Sequence, residues 1–324
     1  MMKKLTPSVL ILGSQFDLTC DYVVAQLRDL GCSYLRLNSE DLSQSSVGLD
    51  PVHGTVSGCL ADISFQLDPN KLKAVYFRRP VFLRDYDTAE SDPVEQFQRH
   101  QWATFIRNLM ILDRSVWVNH PAATYYAEHK AVQLHVAYET GFAIPETMIT
   151  NQESFVGSQI VRNGDVVIKG LDTVLMRHGL NETFGFTRIV NRQSLVDEEI
   201  KSAPVIFQKP ISAKLDIRVT VIGSDVFSVS ILSNGKPVPG DWRQQKDKVS
   251  FVPFNLPSVI RDRCLLILEK LGLVYGAIDL ALEEGEYYFL EINPTGEWAW
   301  LVDSAELPID AAIAKYLVQP YIKE

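Results

Sequence analysis

The chain has 324 residues, 46% hydrophobic and 22% charged, with 18 Gly and 16 Pro and a mean hydropathy of +0.01. That balance excludes disordered and collagen-like classes, and the length predicts two domains or three. The net charge of −9, from 31 basic and 40 acidic residues, provides no overall basic surface for nucleic acid. No apolar run reaches the roughly 20 residues of a bilayer span, so no membrane contact is expected.

Met1-Met2-Lys3-Lys4 followed by Val9-Leu10-Ile11-Leu12 imitates a signal peptide. The apolar run is too short for one, and Gly13-Ser14 is not a small-x-small cleavage site, so it reads as a buried first strand. Cys20, Cys32, Cys59 and Cys264 are scattered without a CxxC pair. That spacing points away from a zinc cage or disulfide framework and predicts a cytoplasmic location.

Helical spacing continues from Tyr22 to Gly31, and Tyr34-Leu35-Arg36-Leu37 follows as a second strand, the opening of an open α/β sheet. Gly-Ser-Gln-Phe-Asp after the first strand is not a dinucleotide fingerprint. Residues 43–73 alternate weakly and predict a β-hairpin, and Ala74–Phe77 is a firmer strand running into Arg78-Arg79-Pro80. A helix is expected over 93–113 and a strand at Val116–Val118, ending at a domain boundary near Asn119-His120-Pro121.

Beyond it, a helix is expected over 126–140, then strands near Val166–Lys169, Thr187–Val190, Val205–Gln208, Ile217–Val221 and Val226–Ile231. A helix over 258–271 precedes two more strands, Gly276–Leu282 and Tyr287–Ile292. No internal repeat or low-complexity segment is evident.

The chemistry concentrates near the C-terminus. Asp279 interrupts one apolar strand and Glu291 the next, with Asn293 two residues on and therefore on the same face. If the strands form a hairpin across Glu283-Glu284-Gly285-Glu286, Asp279 joins them as a set of hard oxygen donors suited to Mg²⁺. The competing reading pairs Glu291 with a nearby Arg and binds no metal.

Isolated cations stand upstream: Lys130 opening a helix, Lys169 ending an apolar strand, Arg218 after Asp216, and Arg243 after Asp241-Trp242. Lys169 is expected to be partly buried, where an ammonium needs an anion. Arg78 and Arg79 sit at a strand's carboxyl end, where α/β sheets bind ligands. They read equally as a salt-bridged strand end or as a fork for a carboxylate or acyl phosphate.

From about Asn119 onward the chain resembles the ATP-grasp carboxylate ligases. The elements in order are Lys130, Lys169, the hinge Phe207-Gln208-Lys209-Pro210-Ile211, Asp216-Ile217-Arg218, Asp279, and Glu291-Ile292-Asn293. A closer resemblance spans nearly the whole length. Tyr76–Pro80, Trp117–Pro121, Ile144–Asn151, Asp241-Trp242-Arg243 and Glu291–Leu301 look like the ATP-grasp maturases of ribosomal peptides. Those enzymes make graspetides, the microviridin-type peptides.

The resemblance implies an α/β and α+β ATP-grasp fold: a pre-ATP-grasp α/β domain at 1–121, a central lobe at 122–205 and a C-terminal lobe at 206–324. It implies ATP and Mg²⁺ as cofactors. Lys130 and Lys169 would contact phosphates, with Arg243 a further nucleotide contact. The Gln208, Lys209, Pro210 and Ile211 hinge would meet adenine, Asp216 would lie by the ribose, and Asp279, Glu291 and Asn293 would hold the metal.

The implied reaction activates Asp or Glu side chains of a ribosomal precursor peptide as acyl phosphates and joins them to Ser/Thr hydroxyls or Lys amines. Arg218 is expected to stabilise the oxyanion, and Arg78 and Arg79 to capture substrate carboxylate or acyl phosphate. Asp197, Glu198 and Glu199 would help bind the leader. The loop after Lys169 is only sparsely glycine-rich, which fits the peptide maturases and leaves open which residues of 170–186 cover the phosphates. Assembly as a homodimer also stays open. The alternative is an ATP-grasp ligase acting on a free amino acid or small metabolite.

Overall fold

Asp17 caps the first helix: its carboxylate accepts from Thr19 N–H at 2.9 Å, so the helix starts at Leu18, one turn before its apolar spacing announces it. In the computed structural model, which describes residues 4–78, 92–152, 164–172, 175–178, 181–184, 187–195 and 197–319, that helix runs Leu18–Asp29 and buries Cys20, Val23, Val24 and Leu27. It ends where Gly31, at φ 64°, donates to Arg28 O while Cys32 donates to Leu27 O, a left-handed turn that glycine adopts without strain.

The chain divides into two compact units. The first comprises Met1–Thr124, Gly272–Tyr275 and Pro294–Glu324, and the second Tyr125–Leu271 and Gly276–Asn293. Neither follows a single run of sequence, since the C-terminal segment belongs to the unit that holds the N-terminus.

The first unit carries a parallel sheet in the order Tyr34–Asn38, Val9–Gly13, Ala74–Phe77, Val116–Val118. All five residues of Val9–Gly13 are buried, as a central parallel strand requires. The hairpin expected over 43–73 is a three-stranded antiparallel sheet of Ser46–Asp50, Thr55–Leu60 and Ile63–Leu67. Its Val56, Phe65 and Leu67 share one core with Leu10, Leu35 and Val75 of the parallel sheet. Two C-terminal helices, Ala299–Ala305 and Ile309–Val318, were not expected. They accompany Trp298, which is fully buried with its ring edge-on to Tyr22 at 6.3 Å.

The second unit has a four-stranded antiparallel sheet in the order Arg188–Asn191, Asp165–Lys169, Val205–Gln208, Thr147–Thr150. A larger sheet runs Lys236–Pro237, Asp225–Ser233, Leu215–Ile222, Tyr275–Glu283, Glu286–Asn293, with Ser250–Pro253 also paired to Asp225–Ser233. The expected hairpin is present. Glu283 pairs with Glu286, and Glu284 and Gly285 between them have φ 50° and 86°, the two positive values of a tight two-residue turn.

The helix expected over 126–140 is instead two, Pro121–Ala127 and Lys130–Glu139. His129 is extended (φ −75°, ψ 110°) and interrupts them, so Lys130 opens a helix of its own. The helix Ser258–Leu271 agrees with its expected span. Among the described residues no helix is long and apolar enough to cross a membrane.

Candidate active site

The second unit encloses a cavity of about 420 Å³. Lys169 enters it from the end of Asp165–Lys169, where it pairs with Ile206. The chain leaving Val205–Gln208 contributes Gln208, Lys209, Pro210 and Ile211. From the larger sheet come Asp216, Asp279 and Glu291, and Arg243 completes the wall. Nine of the residues singled out by sequence thus line one cavity.

The carboxylates converge because of strand register. Asp279 lies directly opposite Glu291, and Ala277 opposite Asn293, with a bulge between Asp279 and Leu280. Directly opposed residues share a face. Arg243 bridges the pair: Nη2 donates to Glu291 Oε1 at 2.7 Å and also to Asp279 Oδ2. Its guanidinium lies 5.3 Å over the Trp242 ring. Arg218 Nη1 donates to Asp279 Oδ1 at 2.7 Å, and Lys130 Nζ is 3.8 Å from Glu291 Oε2.

These contacts set the electrostatics. Burial drives the Asp279 carboxyl upward, but Arg218 and Arg243 overrule it and hold it below its ordinary value. Asp279 first, against the opposing cost of burial, and then Glu291 push Arg243 above its ordinary value. Lys169 goes the other way: burial lowers it, Glu291 opposes, and Lys130 and Arg243 push it further down. A lysine so placed favours a site that supplies negative charge. Asp216 is raised by burial despite its ion pair with Lys214.

Four expected residues reach the site indirectly or not at all. Arg218 and Lys130 do not line the cavity; they contact it through Asp279 and Glu291. Asn293 ends its strand and does not line the cavity. Arg78 belongs to the first unit, where its buried guanidinium meets Asp17 at 3.0 Å, Glu297 at 2.7 Å, and the Thr19 hydroxyl and Thr295 O. That is the salt-bridged strand end. Arg79 lies outside the described residues, as do parts of 170–186. Asp197, Glu198 and Glu199 open the short helix Asp197–Ser202, and their side chains are likewise outside the description.

Lys214, Asp241 and Trp242 also line the cavity and were not singled out as ligand residues. Lys214 stands two residues before Asp216, a spacing that signals a same-face pair at the start of a strand.

The donor chemistry fits a hard cation. Among the described residues no group of three His, Cys, Asp or Glu side chains could hold a metal alone. Asp279 and Glu291 would leave other positions to substrate oxygens and water, the habit of Mg²⁺. In this structure Arg243 bonds both carboxylates, the pairing that the competing reading of Glu291 expected.

No family model and no curated protein matches the chain. Solved structures do. The macrocyclase MdnC from Microcystis aeruginosa MRC, bound with precursor peptide MdnA, has 24% identity and a TM-score of 0.80 over 96% of this chain and 99% of that one. A RiPP-associated ATP-grasp ligase from Chryseobacterium gregarium, in complex with ADP and a leader and core peptide, has 26% identity and a TM-score of 0.78 over 95% and 96%. The ATP-grasp ligase PsnB, complexed with minimal precursor, Mg and ADP, has 20% identity and a TM-score of 0.76 over 98% of each chain. The chain has the ATP-grasp fold in the form shared by these ribosomal-peptide macrocyclases and ligases.

Proposed function

We propose that the protein is an ATP-dependent macrocyclising ligase of the graspetide type. It activates Asp or Glu side chains of a ribosomal precursor peptide as acyl phosphates and joins them to Ser/Thr hydroxyls as ω-esters or to Lys amines as ω-amides. The observation that carries this reading is the cavity whose wall brings Lys169 together with Glu291 and the Asp279–Arg243 pair. The structural likeness to macrocyclases and ligases solved with peptides, ADP and Mg supports it.

A carboxylate resists attack by a hydroxyl or amine until it carries a leaving group. Lys169, Lys130 and Arg243 supply positive charge where a polyphosphate is to be bound and oriented. Asp279, Glu291 and Asn293 would hold Mg²⁺, which when bound neutralises phosphoryl charge. Gln208 to Ile211 offer a wall for the base, and Gln208 is fixed by donating Nε2–H to Thr147 Oγ1 at 2.9 Å. Asp216 serves the ribose.

No protein nucleophile is needed. Arg218, expected to steady the oxyanion, fixes Asp279 in this structure. The Arg78 pairing favours a structural part for that residue. A cytoplasmic setting suits the four cysteines, all free thiols.

Mass spectrometry of a Thr/Asp/Glu-rich precursor, incubated with the protein, ATP and Mg²⁺, tests the proposal. Each ring removes one water, about 18 Da, by the acyl-phosphate route, and base-labile losses mark esters. Turnover of free amino acids with no mass loss from any peptide would replace this reading by the small-metabolite ligase.

A further inference from the structure

Gln133 is buried, at 4% exposure, in a helix whose first residue is Lys130. The chemistry proposed above does not use it. Its side-chain amide takes both backbone groups of one residue in the carboxylate strand. Nε2 donates to Ile292 O at 2.9 Å, and Ile292 N–H donates to Oε1 at 3.1 Å. A second Nε2 donation, at 2.6 Å, goes to Ala127 O at the end of the preceding helix.

Glu286–Asn293 is the terminal strand of its sheet. Its outer edge is bridged at Tyr288 by Ala143, whose carbonyl accepts from Phe289 N–H at 2.8 Å. Farther along, at Ile292, the outward peptide groups meet a side chain instead of a strand. A primary amide carries donor and acceptor side by side and stands in for the missing neighbour. The residue it grips, Ile292, lies between Glu291 and Asn293. Three positions before Gln133, on the same helix face, Lys130 reaches Glu291 Oε2 at 3.8 Å. One helix therefore holds two consecutive strand residues, Glu291 by charge and Ile292 by its backbone.

We infer that Gln133 is a positioning residue for the metal-binding end of this strand: it sets the placement of Glu291 and Asn293 against Lys130. The inference rests on the ligase reading of the cavity. Only an amide of this length meets the geometry. A Glu carboxylate is acceptor-only and faces Ile292 O, Met offers neither donor nor acceptor of use, and Asn is one methylene short.

The test is calorimetric titration of the full chain with MgADP, alongside thermal unfolding. Gln133→Met is expected to weaken MgADP binding and raise the half-saturating Mg²⁺ concentration, each about tenfold, as loss of residues that orient metal ligands does. Leu134→Ala, which removes buried packing on the same helix, is expected to lower the melting temperature and leave both values within about twofold of the unaltered chain. Should Gln133→Met not fold, Gln133→Glu, which keeps the acceptor and loses both donors, is read by the same criteria.

MgADP binding by the unaltered chain, with the Gln133 variant within that twofold band, overturns the inference alone. Equal weakening in Leu134→Ala also overturns it, because the effect would then be general loosening. Failure of the unaltered chain to bind MgADP overturns the ligase reading itself.

Discussion

Two buried arginine clusters in this protein follow opposite logic. In the first unit, Arg78 is matched within the protein: its Nε, Nη1 and Nη2 all bond to Asp17, Thr19, Thr295 or Glu297. In the second unit, Arg243 and Arg218 share Asp279, while Lys169 nearby is held below its ordinary value by burial, Lys130 and Arg243. A matched cluster stabilises a fold. A cluster that keeps one cation at a disadvantage favours an anion supplied from outside the protein. Burial of charge is common to both and does not distinguish them; the imbalance at Lys169 does.

The sharpest way to break this contrast is to remove the matched guanidinium. Arg78→Met removes the buried guanidinium from Asp17, whose side chain is 12% exposed and keeps its bonds from Thr19. The loss therefore falls below the roughly 3–5 kcal/mol of a fully buried ion pair cut on one side. A denaturant titration should show that loss as a fall in midpoint. Full stability with abolished ligation would instead make Arg78 a substrate group. Lys169→Met should do the reverse. Loss of its charge from the proposed phosphate site lowers kcat/KM for ATP about 100-fold, the scale of one preorganised electrostatic contact. Its thermal midpoint should hold or rise, since a disfavoured buried charge is gone. An unchanged kcat/KM, read by coupled ADP release, would remove Lys169 from the site.

Much of this was readable in advance where local signals are strong. Val9–Gly13 and Ala74–Phe77 are runs of apolar residues of the kind only a buried parallel strand accommodates. Asp279 and Glu291 interrupt such runs on either side of a Glu-Gly turn, so the hairpin followed from period and turn chemistry. Unbroken register from that turn would set Asp279 opposite Leu290; it is the bulge between Asp279 and Leu280, which nothing local announced, that sets it opposite Glu291. What escaped depends on distant partners. The break before Lys130 has no Gly or Pro to announce it; it is held by Gln133, whose amide bonds Ala127 O. Gln133 itself did carry a signal, a polar residue beside Leu134, Val136 and Ala137 on a buried helix face. The ownership of Pro294–Glu324 by the N-terminal unit is a long-range packing outcome, with no counterpart in local spacing.

The smallest effect, and the one that refines the contrast, concerns Asp216. Its side chain is 6% exposed beside Lys214, and burial raises its carboxyl despite that partner, with Asp279 and Asp241 adding to the rise. For an acid whose folded value exceeds its unfolded one, the folded state binds more protons between the two values. Stability from this group is therefore complete below the ordinary carboxylate value of 3.8 and is lost as pH climbs through the raised folded value. Asp216→Asn abolishes that titration while keeping shape. Relative to the natural chain, the variant should gain stability steadily as pH rises across this interval, whatever its offset at the acid end from breaking the Lys214 pair. Urea midpoints at a series of acid to neutral pH values measure it. Parallel curves for the two proteins would mean that Lys214 fully matches Asp216, and this wall of the cavity would then resemble the Arg78 cluster.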